Sequence, residues 1–237
     1  MKFRFFIKGL IAFLPSPIKR FCYRSLFGYK IGKRVQIGIS IIDVHECEIE
    51  DDVQIGHLNL FMGTKKLSIG DHCRIGHLNV LRGGEVISLG RYSEIVRLNE
   101  INSIPEPDVV NETDPTFILG DGSVVVASHK IDFTDRVELG KCVILGGRNS
   151  SLWTHNRQMT KPIIIGDYAY VGSEIRIAPG GEIPPRCVVG IGSVITKKLE
   201  GENNLIAGVP AKVLNSLGED GRFLTEYKTR KDLPDNL

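Results

Sequence analysis

Aliphatic residues recur at every sixth position over the last third of the chain. The repeated positions are Ile165, Val171, Ile177, Ile183, Val189 and Ile195, and glycine follows three of them. Neither the helical period of about 3.6 residues nor the alternation of a simple strand produces this spacing. It predicts a coil of three short strands joined by tight corners, with the aliphatic side chain pointing inward and glycine or asparagine adopting the turn conformation beside it.

The same unit appears earlier in the chain in a slightly longer form. The segments "IGHLNL", "IGHLNV" and "IVRLNE" begin at Ile55, Ile75 and Ile95, so the unit returns at every twentieth position here and at every eighteenth in the C-terminal repeats. Coils of this kind stack by parallel β-pairing, which places their aliphatic columns in one continuous core. The sequence therefore predicts an all-β fold, a parallel β-helix of hexapeptide repeats.

Two segments interrupt the repeat. "SSLWTHNRQMTKP", from Ser150 to Pro162, replaces the regular period with polar residues, a histidine and the only tryptophan of the chain. "INSIPEPDVVNETDPTF", from Ile101 to Phe117, is rich in proline and acidic residues. Both are expected to leave the wall of the β-helix. The second either borders a binding site or is a plain surface excursion.

The N-terminal segment, "MKFRFFIKGLIAFLPSPIKRF", mixes large apolar residues with lysine and arginine. Its uncharged runs are too short to span a bilayer, and Lys8 interrupts the apolar run that a signal peptide requires. Two interpretations remain: a short helix that caps the open end of the repeat, which we favour, or a basic amphipathic helix that contacts an anionic membrane through residues 1–24. We assign residues 1–28 to this segment, 29–214 to the β-helix and 215–237 to a polar tail that ends in a short helix or is disordered.

Composition narrows the functional classes. The net charge of +2 over 237 residues gives no reason to expect a nucleic-acid partner. The five cysteines are odd in number and scattered, without a C-x-x-C pair. They indicate neither a disulfide framework nor a zinc knuckle, and a reducing cytosol is the natural compartment.

The C-terminal half carries a family resemblance. "IGDYAYVGSEIRIAPGGEIPPRCVVGIGSVITKKL", followed by "AGVPAKVL", resembles the hexapeptide-repeat acyltransferases. The resemblance implies a left-handed β-helix, a homotrimer, acetyl-CoA as co-substrate and no metal. "RNSSLWTH" and the short N-terminal helix are similar to the acetyltransferases of exopolysaccharide, capsule and lipopolysaccharide synthesis. That similarity implies a sugar hydroxyl of a surface-glycan precursor as acceptor, and a cytoplasmic enzyme that is either free or peripheral to the inner face of the membrane.

The resemblance identifies His155 as the general base. A sugar hydroxyl is a poor nucleophile at neutral pH, and an imidazole within hydrogen-bond reach can accept its proton. Such a base needs an orienting partner, and the preceding coil supplies three candidates. Asp132 and His129 are preferred, while Asp135 lies one local coil spacing before His155 and is expected at the equivalent position of the neighbouring coil.

The same resemblance implies the donor site. Main-chain N–H groups at Gly172 and Ser173 are expected to stabilise the oxyanion, with the absence of a side chain at Gly172 allowing the pantetheine to approach. Lys198 is a weaker addition to the coenzyme contacts. The contacts carried over from the family are Trp153, Ile191, Thr196, Lys197 and Lys212.

A histidine column supports a different hypothesis. His57 and His77 occupy the same position of two successive coils, and His72 precedes His77 by five. The γ-class carbonic anhydrases share this β-helix and bind zinc through three histidines, two of them five apart. Against a zinc site, Arg97 stands where the column would continue.

The residues of this column also have a purely structural interpretation. His57 and His77 are expected to stack on an outer face, and Asn59, Asn79 and Asn99 to form a ladder of amide hydrogen bonds at a corner.

A third hypothesis for the whole protein is a non-enzymatic assembly scaffold, a β-helix that has lost its catalytic activity.

Overall fold

The computed structural model describes residues 2–105, 111–228, 230 and 232–234 and shows a three-sided parallel β-helix. Sheet A contains, in spatial order, β1 Lys30–Ile31, β4 Glu46–Ile49, β7 Lys66–Ile69, β10 Val86–Leu89, β13 Thr116–Leu119, β16 Val137–Leu139, β19 Ile163–Ile165 and β22 Glu182–Ile183. Sheet B contains β2 Gln36–Ile37, β5 Gln54–Ile55, β8 Arg74–His77, β11 Glu94–Arg97, β14 Val124–Ala127, β17 Ile144–Arg148, β20 Tyr170–Val171, β23 Val188–Val189, β25 Asn204–Gly208 and β26 Ala211–Ser216. Sheet C contains β3 Ile41–Asp43, β6 Leu60–Met62, β9 Val80–Arg82, β12 Glu100–Asn102, β15 Lys130–Asp132, β18 Ser151–Trp153, β21 Arg176–Ile177 and β24 Val194–Ile195.

The strand register confirms the predicted repeat. Ile69 pairs with Leu89 in the longer N-terminal coils, and Ile165 pairs with Ile183 in the shorter C-terminal ones. These side chains point inward and are almost completely buried. The aliphatic columns therefore form one core along the axis, as the six-residue period predicts.

The glycine that follows the inward-pointing aliphatic residue is required for a reason other than the turn conformation we expected. A Cβ atom on Gly76 would lie 1.9 Å from the carbonyl oxygen of Val96 in the next coil, so close stacking of the coils excludes a side chain there. The left-handed corner positions are instead occupied by residues such as Leu58, Leu78 and Leu98, with φ of 59°, 61° and 58°. The expectation that glycine serves the turn conformation is therefore wrong at these positions.

The asparagine ladder is confirmed. The backbone N–H and side-chain amide of Asn79 both donate to Oδ1 of Asn59 at 3.0 Å. Asn99 repeats the arrangement on Asn79, at 3.0 and 3.1 Å. All three side chains are buried, so the ladder satisfies polar groups at the corner between sheets B and C without solvent.

Two helices, rather than one, cover the N-terminal end. α1 spans Lys2–Ile11 and packs on β3, and α2 spans Ser16–Phe27 and packs on β1 and β2. The buried Lys8 ammonium donates to Tyr29 Oη and Asp43 Oδ1, both at 2.7 Å, and the buried Lys19 donates to the carbonyl of Ile37 at 2.9 Å. Charged groups from the helices thus complete the polar contacts of the first coil, as a cap does. No helix in the described ranges is long and apolar enough to cross a membrane.

The C-terminal segment folds back over the β-helix. α3, Glu219–Thr225, provides the short helix expected in the tail. Beyond it, the buried Arg230 donates to the carbonyl of His72 at 2.7 Å, and Leu233 is also buried. Part of the predicted polar tail, namely residues 229, 231 and 235–237, lies outside the described residues.

Candidate active site

A bulge sets the position of the interrupted segment. Val125 pairs with Leu145, but Ala127 pairs with Arg148, so one extra residue enters the coil at Gly147, whose φ is 60°. After the bulge, β18 continues sheet C and Leu152 fills the core. The prediction that the chain leaves the wall at Ser150 is therefore wrong, because the bulge shifts the six-residue period by one without ending it.

The excursion itself is a short hairpin that follows β18. His155 and Thr160 form an antiparallel bridge, and the N–H of Lys161 donates to the carbonyl of Thr154 at 2.9 Å. At the tip, Asn156 Oδ1 accepts the N–H groups of Gln158 and Met159 at 2.8 and 3.0 Å, which closes a tight turn. His155 therefore lies at the base of the hairpin, close to the β-helix wall.

Of the three candidate partners, Asp132 is the one that contacts His155. Its Oδ2 atom lies 2.7 Å from His155 Nδ1 and accepts the N–H and hydroxyl of Thr154 at 3.0 and 2.8 Å. Its Oδ1 atom accepts the hydroxyl of Thr134 at 2.6 Å. Asp132 is buried, and these donors hold its carboxylate in one orientation.

This arrangement selects the tautomer of His155. An ionised carboxylate only accepts hydrogen bonds, so Nδ1 of the imidazole carries the hydrogen and Nε2 presents its lone pair. The His155 side chain is 23% exposed, whereas Asp132 is 2% exposed. The buried carboxylate thus supports a partly accessible imidazole, which is the arrangement a general base requires.

Asp135 does not face His155. The bulge lengthens the local coil by one position, so that Asp132 pairs in register with Trp153. Asp135 is instead buried, accepting the N–H of Asp114 at 3.3 Å and of Arg136 at 2.8 Å. The expectation that Asp135 and His155 occupy equivalent positions is wrong because it assumed a constant spacing.

His129 extends the asparagine ladder. Its N–H donates to Oδ1 of Asn99 at 3.0 Å, and its Nδ1 accepts the N–H of Ser150 at 3.1 Å. Burial lowers the pKa of His129 to about 4, so the ring is neutral at physiological pH. Within the described residues no hydrogen bond joins His129 to His155 or Asp132. The His129 side chain is completely buried and is therefore not accessible to a substrate.

The loop before β13 contacts the hairpin. The Asn111 amide nitrogen donates to Thr160 Oγ1 at 2.8 Å, and the Thr160 N–H donates to Asn111 Oδ1 at 2.9 Å. On the same loop, Asp114 accepts Arg136 Nε at 2.9 Å. The predicted loop 101–117 therefore borders the hairpin, although its residues 106–110 lie outside the described part of the chain.

Sequence reasoning missed the residues that support the pair of His155 and Asp132. Thr134 and Thr154 each flank a predicted site residue by one or two positions, but hydroxyl residues in a polar stretch carry no distinguishing period. Asn111 and Thr160 belong to two different interruptions of the repeat. No spacing rule connects two such interruptions, so only the folded chain brings these residues together.

The predicted donor residues lie along the edge between sheets B and C, which we call the B–C edge. Gly172 and Ser173 follow β20, Ile191 follows β23, and Lys212 lies at the start of β26, beside the same edge. The N–H of Gly192 donates to the carbonyl of Ser173 at 3.0 Å, which joins two of these coils. Ile191 is 73% exposed and offers an apolar contact on this edge.

The main-chain N–H of Gly172 is not free. It donates to the carbonyl of Val189 at 3.0 Å, and a Cβ atom on Gly172 would approach the same oxygen at 2.9 Å. Gly172 therefore serves coil stacking, and its expected role as oxyanion donor is wrong. A Cβ atom on Gly147 would lie 1.6 Å from Ser173 Oγ, so a glycine at that bulge makes room for the serine side chain.

The remaining residues predicted to contact the coenzyme lie on the opposite edge of sheet C, the C–A edge. Thr196 and Lys197 follow β24 and are exposed. Lys198 forms an ion pair with Glu182 at 2.9 Å, and this hydrogen bond raises its pKa. Within the described ranges Lys197 has no ion pair, so of the two lysines it is the one whose ammonium is available for a phosphate.

The predicted site residues thus form two separate groups in one chain. Trp153, 43% exposed, ends β18, and His155 follows it on the C–A edge with Thr196 and Lys197. Ser173, Ile191 and Lys212 lie on the B–C edge. The width of sheet C separates the two edges, roughly 15 Å for a short extended strand with its corners.

His57 and His77 lie at a different corner of the β-helix from His72. His57 and His77 stack with ring centroids 5.5 Å apart, and their Nδ1 atoms accept the N–H groups of Ile39 and His57. His72 stacks on Tyr92 at 4.7 Å, at the corner between sheets A and B. No group of three potential metal ligands occurs within the described residues, and the outer-face stacking is confirmed.

Comparisons with known proteins agree with this architecture. No model of a protein family matches the chain. The sequence is similar to the galactoside O-acetyltransferase of Escherichia coli strain K12, with 32% identity over 74 residues that cover 30% of this chain and 36% of that protein. It is also similar to the candidate acetyltransferase YJL218W of Saccharomyces cerevisiae, with 27% identity over 112 residues, 47% of this chain and 48% of that protein. The matched segments thus span less than half the length of either relative.

A solved structure shares the fold. The UDP-N-acetylglucosamine acyltransferase from Campylobacter jejuni superposes with a TM-score of 0.60 at 18% identity, covering 80% of this chain and 71% of that chain. This likeness confirms the left-handed β-helix. The two partial sequence matches are both to proteins described as acetyltransferases.

Proposed function

We propose that the protein is an acetyl-CoA-dependent acetyltransferase that modifies a sugar hydroxyl of a surface-glycan precursor in the cytoplasm. His155 accepts the proton of the acceptor hydroxyl through Nε2, and Asp132 holds the imidazole and stabilises the positive charge that develops on it. The coenzyme supplies the activated acetyl group. The main observation in support is the 2.7 Å contact between the buried Asp132 and His155.

The B–C edge supplies the donor side of this proposal. The N–H of Ser173 has no acceptor within the described residues and is the main-chain donor left for an oxyanion after Gly172 is excluded. Ile191 and Lys212 lie on the same edge, and Lys197 and Thr196 on the other. These residues fit a coenzyme that carries both an apolar arm and phosphates.

The separation of the two edges supports a homotrimer. Neither edge carries both the base and Ser173, so a complete site needs the C–A edge of one copy beside the B–C edge of another. A head-to-tail contact between unlike surfaces closes into a ring when its rotation is suitable. We therefore infer that each site lies between two subunits, with Trp153 as an apolar wall.

The test is release of free thiol from acetyl-CoA in the presence of a panel of sugars and nucleotide sugars. In the His155→Ala variant we expect turnover to fall by about 10² to 10⁴, the usual effect of removing a general base. The matched control is His45→Ala, which removes an exposed histidine whose side chain has no partner within the described residues.

A binding measurement separates loss of chemistry from loss of the site. Acetyl-CoA is expected to raise the melting temperature of both the unmodified protein and His155→Ala, because binding to the folded state stabilises it. Undiminished turnover in His155→Ala would contradict the role of His155. Absence of thermal stabilisation in the unmodified protein would contradict coenzyme binding altogether and favour a scaffold.

A further inference from the structure

The N-terminal cap exposes an apolar face. Phe6, Leu10 and Phe13 on and just after α1 are 62%, 57% and 74% exposed. Their spacing of four and three positions places them on one side of the helix. The other side of α1 packs on the β-helix through Ile11 and Ala12, which are buried. The exposed phenylalanines are therefore not needed for the cap.

The second helix adds to this apolar surface. Phe21 and Leu26 of α2 are 68% and 63% exposed, and Ile18 is 48% exposed. Large apolar side chains this exposed on two successive helices exceed the scattered apolar residues of an ordinary surface. They indicate that the cap contacts a partner that accepts apolar groups.

The charge of the same segment indicates which partner. The chain before Asp43 contains nine lysines and arginines and no aspartate or glutamate. Within the described residues, Lys8 and Lys19 are used internally, and Lys30 and Arg34 pair with Glu48 and Asp52. The Arg4 guanidinium lies 5.5 Å from the centre of the Phe27 ring, on the same side of α1 as Lys8. Arg20 forms no ion pair within the described ranges, which leaves its guanidinium group available to an anionic surface.

We propose that the cap docks the protein on an anionic phospholipid membrane, with Phe6, Leu10 and Phe13 inserted at the interface and Arg20 facing lipid headgroups. Apolar insertion together with basic side chains is the combination that holds a helix on such a surface. Pairing this face with the same face of a second copy would bring basic groups together, which opposes that alternative. This proposal does not depend on the proposed acetyl transfer.

The test is flotation of the full-length protein with vesicles of phosphatidylcholine that contain phosphatidylglycerol, compared with vesicles of phosphatidylcholine alone. We expect the protein to float with the anionic vesicles, and less so as salt is raised, because salt screens the headgroup charge. Failure to float with anionic vesicles, or equal flotation with neutral ones, would overturn the proposal.

Three variants locate the contact. Phe6→Ser and Phe13→Ser are each expected to weaken binding about tenfold, the effect of no longer burying one phenylalanine. Arg20→Glu is expected to reduce binding to anionic vesicles only. The matched controls are Phe223→Ser and Arg222→Glu on α3, where Phe223 is 65% exposed.

Sedimentation without vesicles separates the alternatives. Phe6→Ser and Phe13→Ser are expected to leave the oligomeric size of the protein unchanged. If either variant instead reduces that size, the apolar face is an interface between copies and the membrane proposal is wrong.

Discussion

At the scale of single residues, burial separates two histidines that look alike in the sequence. His155 keeps part of its ring accessible and contacts Asp132, whereas His129 is fully buried between Asn99 and Ser150. An imidazole therefore remains accessible to a ligand in one position and continues a hydrogen-bond ladder in the other. The difference depends on where each residue lies: His129 is at the corner between sheets B and C, and His155 is on the hairpin at the C–A edge.

We expect the buried His129 to make the free energy of unfolding depend on pH. Burial lowers its pKa from 6.5 to about 4 in the folded protein, so below pH 6.5 the unfolded chain binds more protons. We expect the free energy of unfolding to fall by about 3 kcal/mol as the pH decreases from 6.5 to about 4. His129→Asn, which continues the asparagine ladder, should remove this component.

Chemical denaturation at a series of pH values measures the effect. The variant is compared with His45→Ala, in which an exposed histidine is removed and the pH dependence should persist. An identical pH profile for His129→Asn and the unmodified protein would show that His129 titrates normally.

At the scale of elements, the position of the candidate base His155 is set by a hairpin that a separate loop also contacts. The hairpin that follows β18 is attached to the β-helix by its own ends and by Asn111 of the loop before β13. Asn111 is exposed and contributes little to the core. Its side-chain bonds to Thr160 act on the position of His155 through the bridge between Thr160 and His155.

Asn111→Ala should therefore reduce turnover about tenfold while leaving the melting temperature nearly unchanged, because small errors in the position of a catalytic group are costly. Hydrogen exchange at the amide of Thr160 should become faster, since its acceptor on Asn111 is lost. Asn215→Ala is the control, because Asn215 is exposed and its amide donates to Ser216. Unchanged exchange and turnover in Asn111→Ala would show that the loop does not position the hairpin.

At the scale of the whole molecule, the fold separates the candidate base His155 from Ser173. Sheet C lies between the C–A edge and the B–C edge, and the strands of a β-helix are too regular to bring the two edges together within one chain. A site that uses both edges must lie between copies. This inference rests on the topology and is independent of the identity of the acceptor.

Mixed assemblies test the shared site. His155→Ala damages the C–A edge, and Ile191→Glu places a charge on the B–C edge, so each variant alone should be inactive or nearly so. Co-expression should restore about a quarter of the activity, the fraction of contacts at which two intact edges meet in a randomly mixed ring. A single-chain site would show no recovery, because every chain then carries one damaged half.

The sequence alone determined the repeat, because inward aliphatic residues must recur wherever a coil closes on one core. It was sufficient to predict parallel stacking and the ladder of Asn59, Asn79 and Asn99. It also carried the family resemblance that identified His155, and the preceding coil offered Asp132 as one of three candidate partners. These features depend on local spacing, which a sequence displays directly.

Only the tertiary structure decided which residues meet. The extra residue at Gly147 shifts the register and makes Asp132, rather than Asp135, the partner of His155. Coil stacking occupies the N–H of Gly172. Packing also assigned Lys8 and Lys19 to the interior and left Phe13 exposed. Such outcomes depend on contacts between coils and between distant loops, and no periodicity along the chain encodes them.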